Sequence, residues 1–340
     1  MDCTKQFLLG LFTSAIMVVL PSISCAKEIA VPEQHKTIQA ALDAASTGDI
    51  ILVDPGTYHE RLVLKRGITL KSAGDDTQGK LGLLRAEKTI INGGGKQGEG
   101  PGVELAEKAV LDGFTITNVG FYDDAKWKKH HATQGNLQSY EHIGAPGVAG
   151  IAITGISTCT VINNIVHHIG YTGIAITGNP SKQVSPRVIR NFSYRNMGGG
   201  IGSMKKSTAF ISENTCFENF YAGIGHDAAS PKVLGNICYG NVRAGIGISE
   251  GASPEVRGNK CYRNRRAGIG VRTGNDTQPL IEDNDCYEND MAGIGARENA
   301  SPTIRKTRCY RNKLAGIGSR TGATPRIVGN ECYENEKAGI

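Results

Sequence analysis

Residues 121–147 bring together side chains that are well suited to acid–base chemistry. The segment holds three of the eight histidines and the single tryptophan. Imidazole and amine groups can take a proton from a substrate and return it. The candidate catalytic residues are therefore Lys128, His130, His131 and His142, with Trp127 as a candidate substrate contact.

Two carboxylates in the same segment could hold a metal ion. Asp123 and Asp124 offer the oxygen ligands that calcium prefers. Calcium is thus the candidate cofactor, although no part of the pattern requires one. A surface loop that only covers the rest of the fold is the alternative interpretation of 121–147.

A second candidate surface is a column of aromatic residues spaced 22–27 residues apart. On parallel strands about 4.8 Å apart, such rings form a ladder. A ladder suits stacking on sugar rings, but also stacking of the rings on each other. The candidate substrate-binding residues on this column are His167, Tyr194, Tyr239, Tyr262, Tyr287 and Tyr310, and a basic row adds Arg272, Arg297 and Arg320.

The element that must position these columns is a repeat built on the dipeptide Gly-Ile. Nine copies follow one another at intervals of 22–27 residues, starting at Gly150, Gly173, Gly200, Gly223, Gly245, Gly268, Gly293, Gly316 and Gly339. Between them, short alternating pieces are separated by Asn, Gly and Pro, with no helical period. This pattern predicts an all-β solenoid, a parallel β-helix with coils of about 22–25 residues.

Alternation along the strands assigns the faces of each coil. The Ile residues point inward together with Val233, Cys238 and their equivalents, and the Gly residues on both sides of each Ile point outward. Two columns of Asn occupy corners, where stacked amides can hydrogen-bond. The predicted columns are Asn236, Asn259, Asn284 and Asn330, and Asn219, Asn241, Asn264, Asn289, Asn312 and Asn335.

Six of the nine cysteines occupy one position in successive repeats, from Cys216 to Cys332. We interpret them as buried free thiols. Disulfides along the column and binding of a soft metal are the alternatives.

Two N-terminal phrases connect the chain to a known family. Thr37–Ala45 reads as a short capping helix (37–45), and Gly48–Glu60 reads as a first coil. With the Asn and Gly-Ile repeats, the chain resembles the right-handed parallel β-helix proteins of the pectin-lyase-like fold. Within that fold it is most similar to NosD-like proteins and to carbohydrate-binding or sugar-hydrolase repeat modules. The resemblance implies a single-stranded right-handed β-helix, but many activities share this fold.

The two ends of the sequence carry further expectations. Residues 1–26 read as a secretory signal, which makes 27–340 an exported periplasmic or extracellular domain with its regular repeats in 148–340. Lipid attachment at Cys25 is the alternative. The last repeat stops at Ile340 without a cap, which suggests either that the chain continues or that another molecule covers this end. Self-association through the open coil or through the glycine face is the second of these expectations.

These observations favour a protein that binds or processes polysaccharide, including acidic glycans, in keeping with a net charge of +6. If it is an enzyme, a polysaccharide lyase or a glycoside hydrolase is the expected type. Nucleic acid is not an expected partner, and the mature chain has no expected transmembrane segment. The alternatives are a structural or assembly protein, and a NosD-like accessory in the maturation of a metal centre.

Overall fold

The computed structural model describes residues 26–96, 98–133 and 148–340. The described chain forms three parallel sheets of 12, 11 and 10 strands, and each coil contributes one strand to each sheet in turn. The predicted solenoid is confirmed as a right-handed parallel β-helix.

The strands are short, and most have only three or four residues. The first sheet consists of Glu28–Val31, Ile50–Val53, Thr69–Ser72, Val110–Asp112, Thr160–Ile162, Arg187–Ile189, Phe210–Ser212, Lys232–Leu234, Glu255–Arg257, Leu280–Glu282, Thr303–Arg305 and Arg326–Val328. The second sheet consists of Gly56–Tyr58, Thr89–Asn92, Thr115–Thr117, Ile165–His167, Phe192–Tyr194, Thr215–Phe217, Ile237–Tyr239, Lys260–Tyr262, Asp285–Tyr287, Arg308–Tyr310 and Glu331–Tyr333. The third sheet consists of Leu62–Val63, Val103–Glu104, Ile151–Thr154, Ile174–Thr177, Ile201–Met204, Ile224–Asp227, Ile246–Ser249, Ile269–Val271, Ile294–Ala296 and Ile317–Ser319.

Three helices accompany the coil in its described part: α1 (Ile38–Ala44), α2 (Leu84–Lys88) and α3 (Asp124–Ala132). Helix α1 is the predicted cap. The side chain of Thr37 accepts a hydrogen bond from the backbone N–H of Ala40, and Ile38, Ala41 and Leu42 are buried against the first coils. None of the described helices has the length and apolar character needed to cross a membrane.

The inward positions form one continuous apolar column through the coil. The Ile of each of the first eight Gly-Ile pairs is buried, whereas Ile340 in the last pair is exposed. Most of the repeat cysteines are also buried, and they stand in register from Cys216 to Cys332. All described cysteines are free thiols, as predicted. Burial raises the pKa of the Cys238 and Cys261 thiols, which keeps them protonated.

The predicted Asn columns are ladders of buried amides. Where Asn residues follow one another in register, the Oδ1 atom accepts from the backbone N–H and the Nδ2 of the Asn one coil earlier, as Asn264 does from Asn241 at 3.1 and 3.0 Å. The Nδ2 of Asn264 donates to the carbonyl of Cys238 and to Oδ1 of Asn289, so both donors and both acceptor positions of this amide are used. The first column is interrupted by Thr307, which lies between Asn284 and Asn330.

The prediction that the Gly residues on both sides of each Ile point outward is correct for one side only. The Gly after each Ile points outward on the third sheet, and an added Cβ at Gly225 would meet no atom within 4 Å. The Gly before each Ile is buried instead, and a Cβ at Gly268 would lie 2.7 Å from the carbonyl oxygen of Gly293. The Gly before each Ile has no room for a side chain, because the backbone bends there close to the Asn ladder and the Cys column. Of the two Gly columns predicted to face outward, only the one after the Ile does so.

Candidate functional site

Helix α3 lies over the corner between the second and third sheets. Its start is fixed by Asp123, whose carboxylate accepts from the N–H of Lys126 at 2.9 Å. Trp127 packs with Met197, Phe220 and Val242 and donates from Nε1 to the carbonyl of Glu218 at 2.7 Å. The segment predicted as a loop thus contains a helix that is anchored to the coil by its tryptophan.

This anchoring corrects the expected roles of two residues. Trp127 is only 3% exposed and His130 4% exposed, and the His130 ring meets Phe220 edge-on at 4.9 Å. Buried rings have no surface to offer a substrate, so both residues hold the helix in place. His131 stacks on Trp127 at 4.5 Å. His142 lies outside the described residues.

A pair of adjacent histidines, His167 and His168, lies beside the helix. The ring of Tyr122 meets His168 edge-on at 4.5 Å, and Nδ1 of His168 is 2.6 Å from Nδ1 of His167. The hydroxyl of Thr117 is 3.2 Å from the same His167 nitrogen. The two histidines therefore share one hydrogen bond at the end of a strand of the second sheet, next to the phenol of Tyr122.

The protonation states in this group are set mainly by burial. Burial lowers the pKa of His167 to about 4, and His168 adds to the effect. Burial and then the charge of Arg195 lower the pKa of His168. Burial raises the pKa of Tyr122 well above its ordinary value. At neutral pH both imidazoles are therefore neutral and the phenol is protonated.

Two cations lie around the carboxylate of Asp124, which is 3.5 Å from the hydroxyl of Tyr122. Lys128 Nζ is 2.6 Å from one oxygen of Asp124, and Arg195 Nη1 is 3.6 Å from the other. Arg195 also pairs with Glu218 at 2.9 Å, and its guanidinium lies over the Trp127 ring at 4.2 Å. The cations, the phenol and the histidines belong to α3 and to two adjacent coils, which gives them a rigid frame.

The expected calcium ligands have other partners in this arrangement. Asp123 caps the helix and Asp124 pairs with cations. In the described ranges, no group of three or more His, Cys, Asp or Glu side chains is placed to hold a metal ion.

The aromatic column is a continuous stack on the second sheet. From His167 to Tyr333, successive ring centroids are 4.6–5.1 Å apart and the ring planes lie within 22° of parallel. Each ring face is covered by the next ring, so mainly edges and hydroxyl groups point outward. The platform expected at Tyr239, Tyr262, Tyr287 and Tyr310 therefore offers polar edges to a ligand, while its flat faces stabilise the coil.

Charges beside the stack are also paired. The residue after each aromatic residue adopts a left-handed backbone, and ion pairs join Arg263 to Glu288 at 2.7 Å and Arg311 to Glu334 at 2.6 Å. Arg308 and Asp285 form a bidentate pair on the same sheet. This part of the face is electrostatically balanced, whereas the coils near α3 carry the histidines and Arg195.

The remaining predicted residues lie elsewhere. Arg272, Arg297 and Arg320 follow successive strands of the third sheet, on the far side of the outward glycines from the aromatic stack. Arg297 pairs with its neighbour Glu298 at 3.2 Å. The basic row therefore exists, but it does not join the group around His168.

Helix α2 covers the adjoining part of the second sheet. Leu83 and Ala86 pack on Ile165, with Phe192 and Tyr194 at the edge of the cluster. The hydroxyl of Thr115 donates to the carbonyl of Ala86 at 2.8 Å. Helices α2 and α3 thus both contact the part of the second sheet that contains the histidine pair.

Sequence reasoning did not select Tyr122, His168, Arg195 or Glu218 as site residues. The repeat register carried a signal for two of them, because Arg195 and Glu218 follow Tyr194 and Phe217 in the column of left-handed residues. Their contact with α3 could not be found this way, because it depends on how a segment without repeats folds back on the coil.

Known structures share this architecture. The A-module of mannuronan C-5 epimerase AlgE4 from Azotobacter vinelandii matches with a TM-score of 0.59 and 16% identity, over 89% of this chain and 92% of the module. ORF18 of Geobacillus virus E2 matches with a TM-score of 0.55 and 13% identity, over 87% of this chain and 57% of the viral chain. An alginate lyase from Paenibacillus sp. str. FPU-7 matches with a TM-score of 0.50 and 14% identity, over 88% and 99%.

Identities this low establish a shared fold alone. Among curated proteins, none matches the chain. The family model for the right-handed β-helix region matches residues 101–279 and 270–340, which together exceed half of the sequence. This chain belongs to the family of right-handed β-helix proteins.

Proposed function

We propose that this protein binds an acidic polysaccharide on the outer face of the second sheet and processes it beside α3. The observation that carries the proposal is the contact of Tyr122 with the His168–His167 pair, next to the cations Lys128 and Arg195. Two structural neighbours are named as a mannuronan C-5 epimerase and an alginate lyase, which are enzymes of acidic polysaccharides.

The chemistry follows from the protonation states. The carboxylate of a uronate unit binds to Lys128 and Arg195, which makes the hydrogen on the adjacent ring carbon more acidic. Neutral His168 takes that proton, and its partner His167 stabilises the resulting imidazolium through the shared hydrogen bond. The protonated phenol of Tyr122 can return a proton to the ring carbon, which gives the epimer, or to the departing glycosidic oxygen, which gives an unsaturated end. The proton held by His168 then passes to the Tyr122 phenolate, which restores both groups.

A panel of uronate polymers and neutral glycans tests the proposal. Turnover is followed as ultraviolet absorbance of unsaturated ends and, for epimerisation, as incorporation of solvent deuterium at the reacting carbon. We expect His168→Gln and Tyr122→Phe to lose at least about 100-fold in kcat while binding persists. Tyr310→Phe, on the same stack but in a distant coil, is the matched control: its hydroxyl belongs to the binding face and not to the group around His168, so the kcat should equal that of wild type and any change should appear in KM. Absence of both binding and turnover on all uronate polymers would refute the proposal.

We further propose that the chain is exported, on the strength of the apolar N-terminal segment and its small-residue cleavage site in 1–26. Mass spectrometry of the protein secreted from a cell that expresses the full chain would show a mature N-terminus at Lys27. Retention of Met1 in a cytoplasmic product would contradict export.

A second candidate function is assembly through the third sheet. Its outward glycine column is bare, and a Cβ at Gly270 would lie 3.7 Å from Ala244 Cβ, an ordinary contact. A Trp at this position should therefore fold and block a flat interface. If sedimentation shows an oligomer that Gly270→Trp dissociates, assembly is supported. A wild-type protein that stays monomeric at high concentration excludes it.

A further inference from the structure

Three donors converge on the carboxylate of Asp124. Lys128 Nζ contacts Oδ2 at 2.6 Å, while Arg195 Nη1 and the hydroxyl of Tyr122 approach Oδ1 at 3.6 and 3.5 Å. The same three side chains face the substrate in the proposed function. A carboxylate of the protein therefore occupies the place where these donors would meet a carboxylate of the ligand.

The fold makes little structural use of this carboxylate. Helix α3 is capped by Asp123 and anchored by Trp127, and Arg195 is already paired with Glu218 at 2.9 Å. The pair of Asp124 with Lys128 is exposed, with 44% and 67% of the side chains accessible, so it adds little to stability. Because Asp124 is half exposed, it can turn into solvent without disturbing the core.

We propose that Asp124 stands in for the carboxylate of a uronate unit: in the free protein it fills the anion position formed by Lys128, Arg195 and Tyr122, and a bound acidic chain displaces it. The inference rests on the proposed function. Two carboxylates cannot share this position, because their charges repel at such short range. The affinity for an acidic chain is therefore reduced by competition with the Asp124 carboxylate, whereas the affinity for a neutral chain does not depend on Asp124.

Substitution of Asp124 by Asn tests the competition. The amide keeps the size of the side chain but loses the charge that holds Lys128 and Arg195. We expect Asp124→Asn to bind a mannuronate oligomer about five-fold more tightly than wild type, the upper end of the range for the loss of one competing exposed ion pair. Binding of a neutral glucose oligomer should not change. In the Asp124→Asn background, Lys128→Met should abolish the gain.

The matched control is Asp123→Asn. It removes the same unit charge one residue earlier, and Asn retains the helix-capping function. We expect its affinity for the mannuronate oligomer to stay within about two-fold of wild type, since the long-range effect of one exposed charge is screened by salt. Hydrogen exchange of the α3 amides confirms that the helix remains docked in each variant.

The outcomes separate the two proposals. Equal gains in Asp123→Asn and Asp124→Asn, or weaker binding by Asp124→Asn, would overturn the displacement of Asp124 while leaving the proposed function standing. If wild type and all variants fail to bind the mannuronate oligomer or any other uronate polymer, the proposed function falls and this inference falls with it.

Discussion

His226 lies in the core of the third sheet with no polar partner. Its side chain is 2% exposed, and neither ring nitrogen has a hydrogen-bond partner. Along the sheet it stands between Ser203 and Ile248 in the inward column. Burial alone lowers the pKa of His226 to about 3, from an ordinary value of 6.5.

Burial of His226 therefore lowers the free energy of unfolding by a penalty that depends on pH. Above pH 6.5 the imidazole is neutral in both states and contributes no pH dependence. Below that value the unfolded chain binds a proton that the folded chain excludes until about pH 3. Stability is lost as the pH falls, at roughly 1.4 kcal/mol per pH unit, which amounts to about 2 kcal/mol between pH 7 and pH 5.

Replacement of His226 by Ile measures this penalty. Ile matches the neighbouring position Ile248 and removes the unpaired nitrogens, so we expect a stabilisation of about 2 kcal/mol at pH 7. At pH 5 the difference should grow to about 4 kcal/mol, because only wild type loses stability through this group. Urea unfolding of both proteins at a series of pH values gives the difference, in which the contributions of the other histidines cancel.

Ile248→Val is the control, because it alters the packing of the same inward column but removes no ionisable group, so the pH dependence of wild type should be kept. Parallel pH profiles of wild type and His226→Ile would refute the reasoning. They would mean that the imidazole at 226 finds a proton acceptor or solvent in the folded state.

The other predictions concern packing. Gly268→Ala should lower the free energy of unfolding by about 1–3 kcal/mol, because the added methyl group clashes with the next coil. Gly270→Ala, in the outward column, should change the free energy of unfolding by less than about 0.5 kcal/mol. Urea titration of both variants measures the difference between a buried and an outward glycine. Asn264→Ala should destabilise by about 3 kcal/mol, because it leaves buried backbone groups unpaired, and a thermal midpoint equal to wild type would contradict the ladder. Trp127→Ala should release α3, seen as faster hydrogen exchange of its amides with unchanged exchange in the coil; protection of the helix at wild-type level would show that Trp127 is not its anchor.

The sequence predicts the coil well because its repeat determines its register. Equivalent residues such as Cys238 and Cys261 stand opposite each other on neighbouring strands, as their spacing requires. Period-2 alternation failed at Gly268, which lies at the bend that leads into a strand rather than within one. The rule that successive side chains alternate applies only to extended backbone.

The candidate site was less predictable because it depends on contacts outside the repeat. Lys128 was chosen for its chemistry and is exposed, paired with Asp124, but Trp127 and His130 were chosen on the same grounds and are buried. Only the packing of α3 separates these cases. Its position follows from Trp127 and Glu218, which are 91 residues apart in the sequence.

The Asn ladder that runs from Asn196 to Asn335 has a direction. Every Oδ1 atom in it points toward the N-terminal end of the coil, from Asn335 to Asn196, whose own Oδ1 accepts from the N–H of Ile169. Aligned amide dipoles add along a row, as they do in a helix. The negative end of this row lies beside His168 and Arg195, so a stack of structural amides also supplies a weak field there, which stabilises the charge of Arg195 and a protonated His168 and opposes a bound anion.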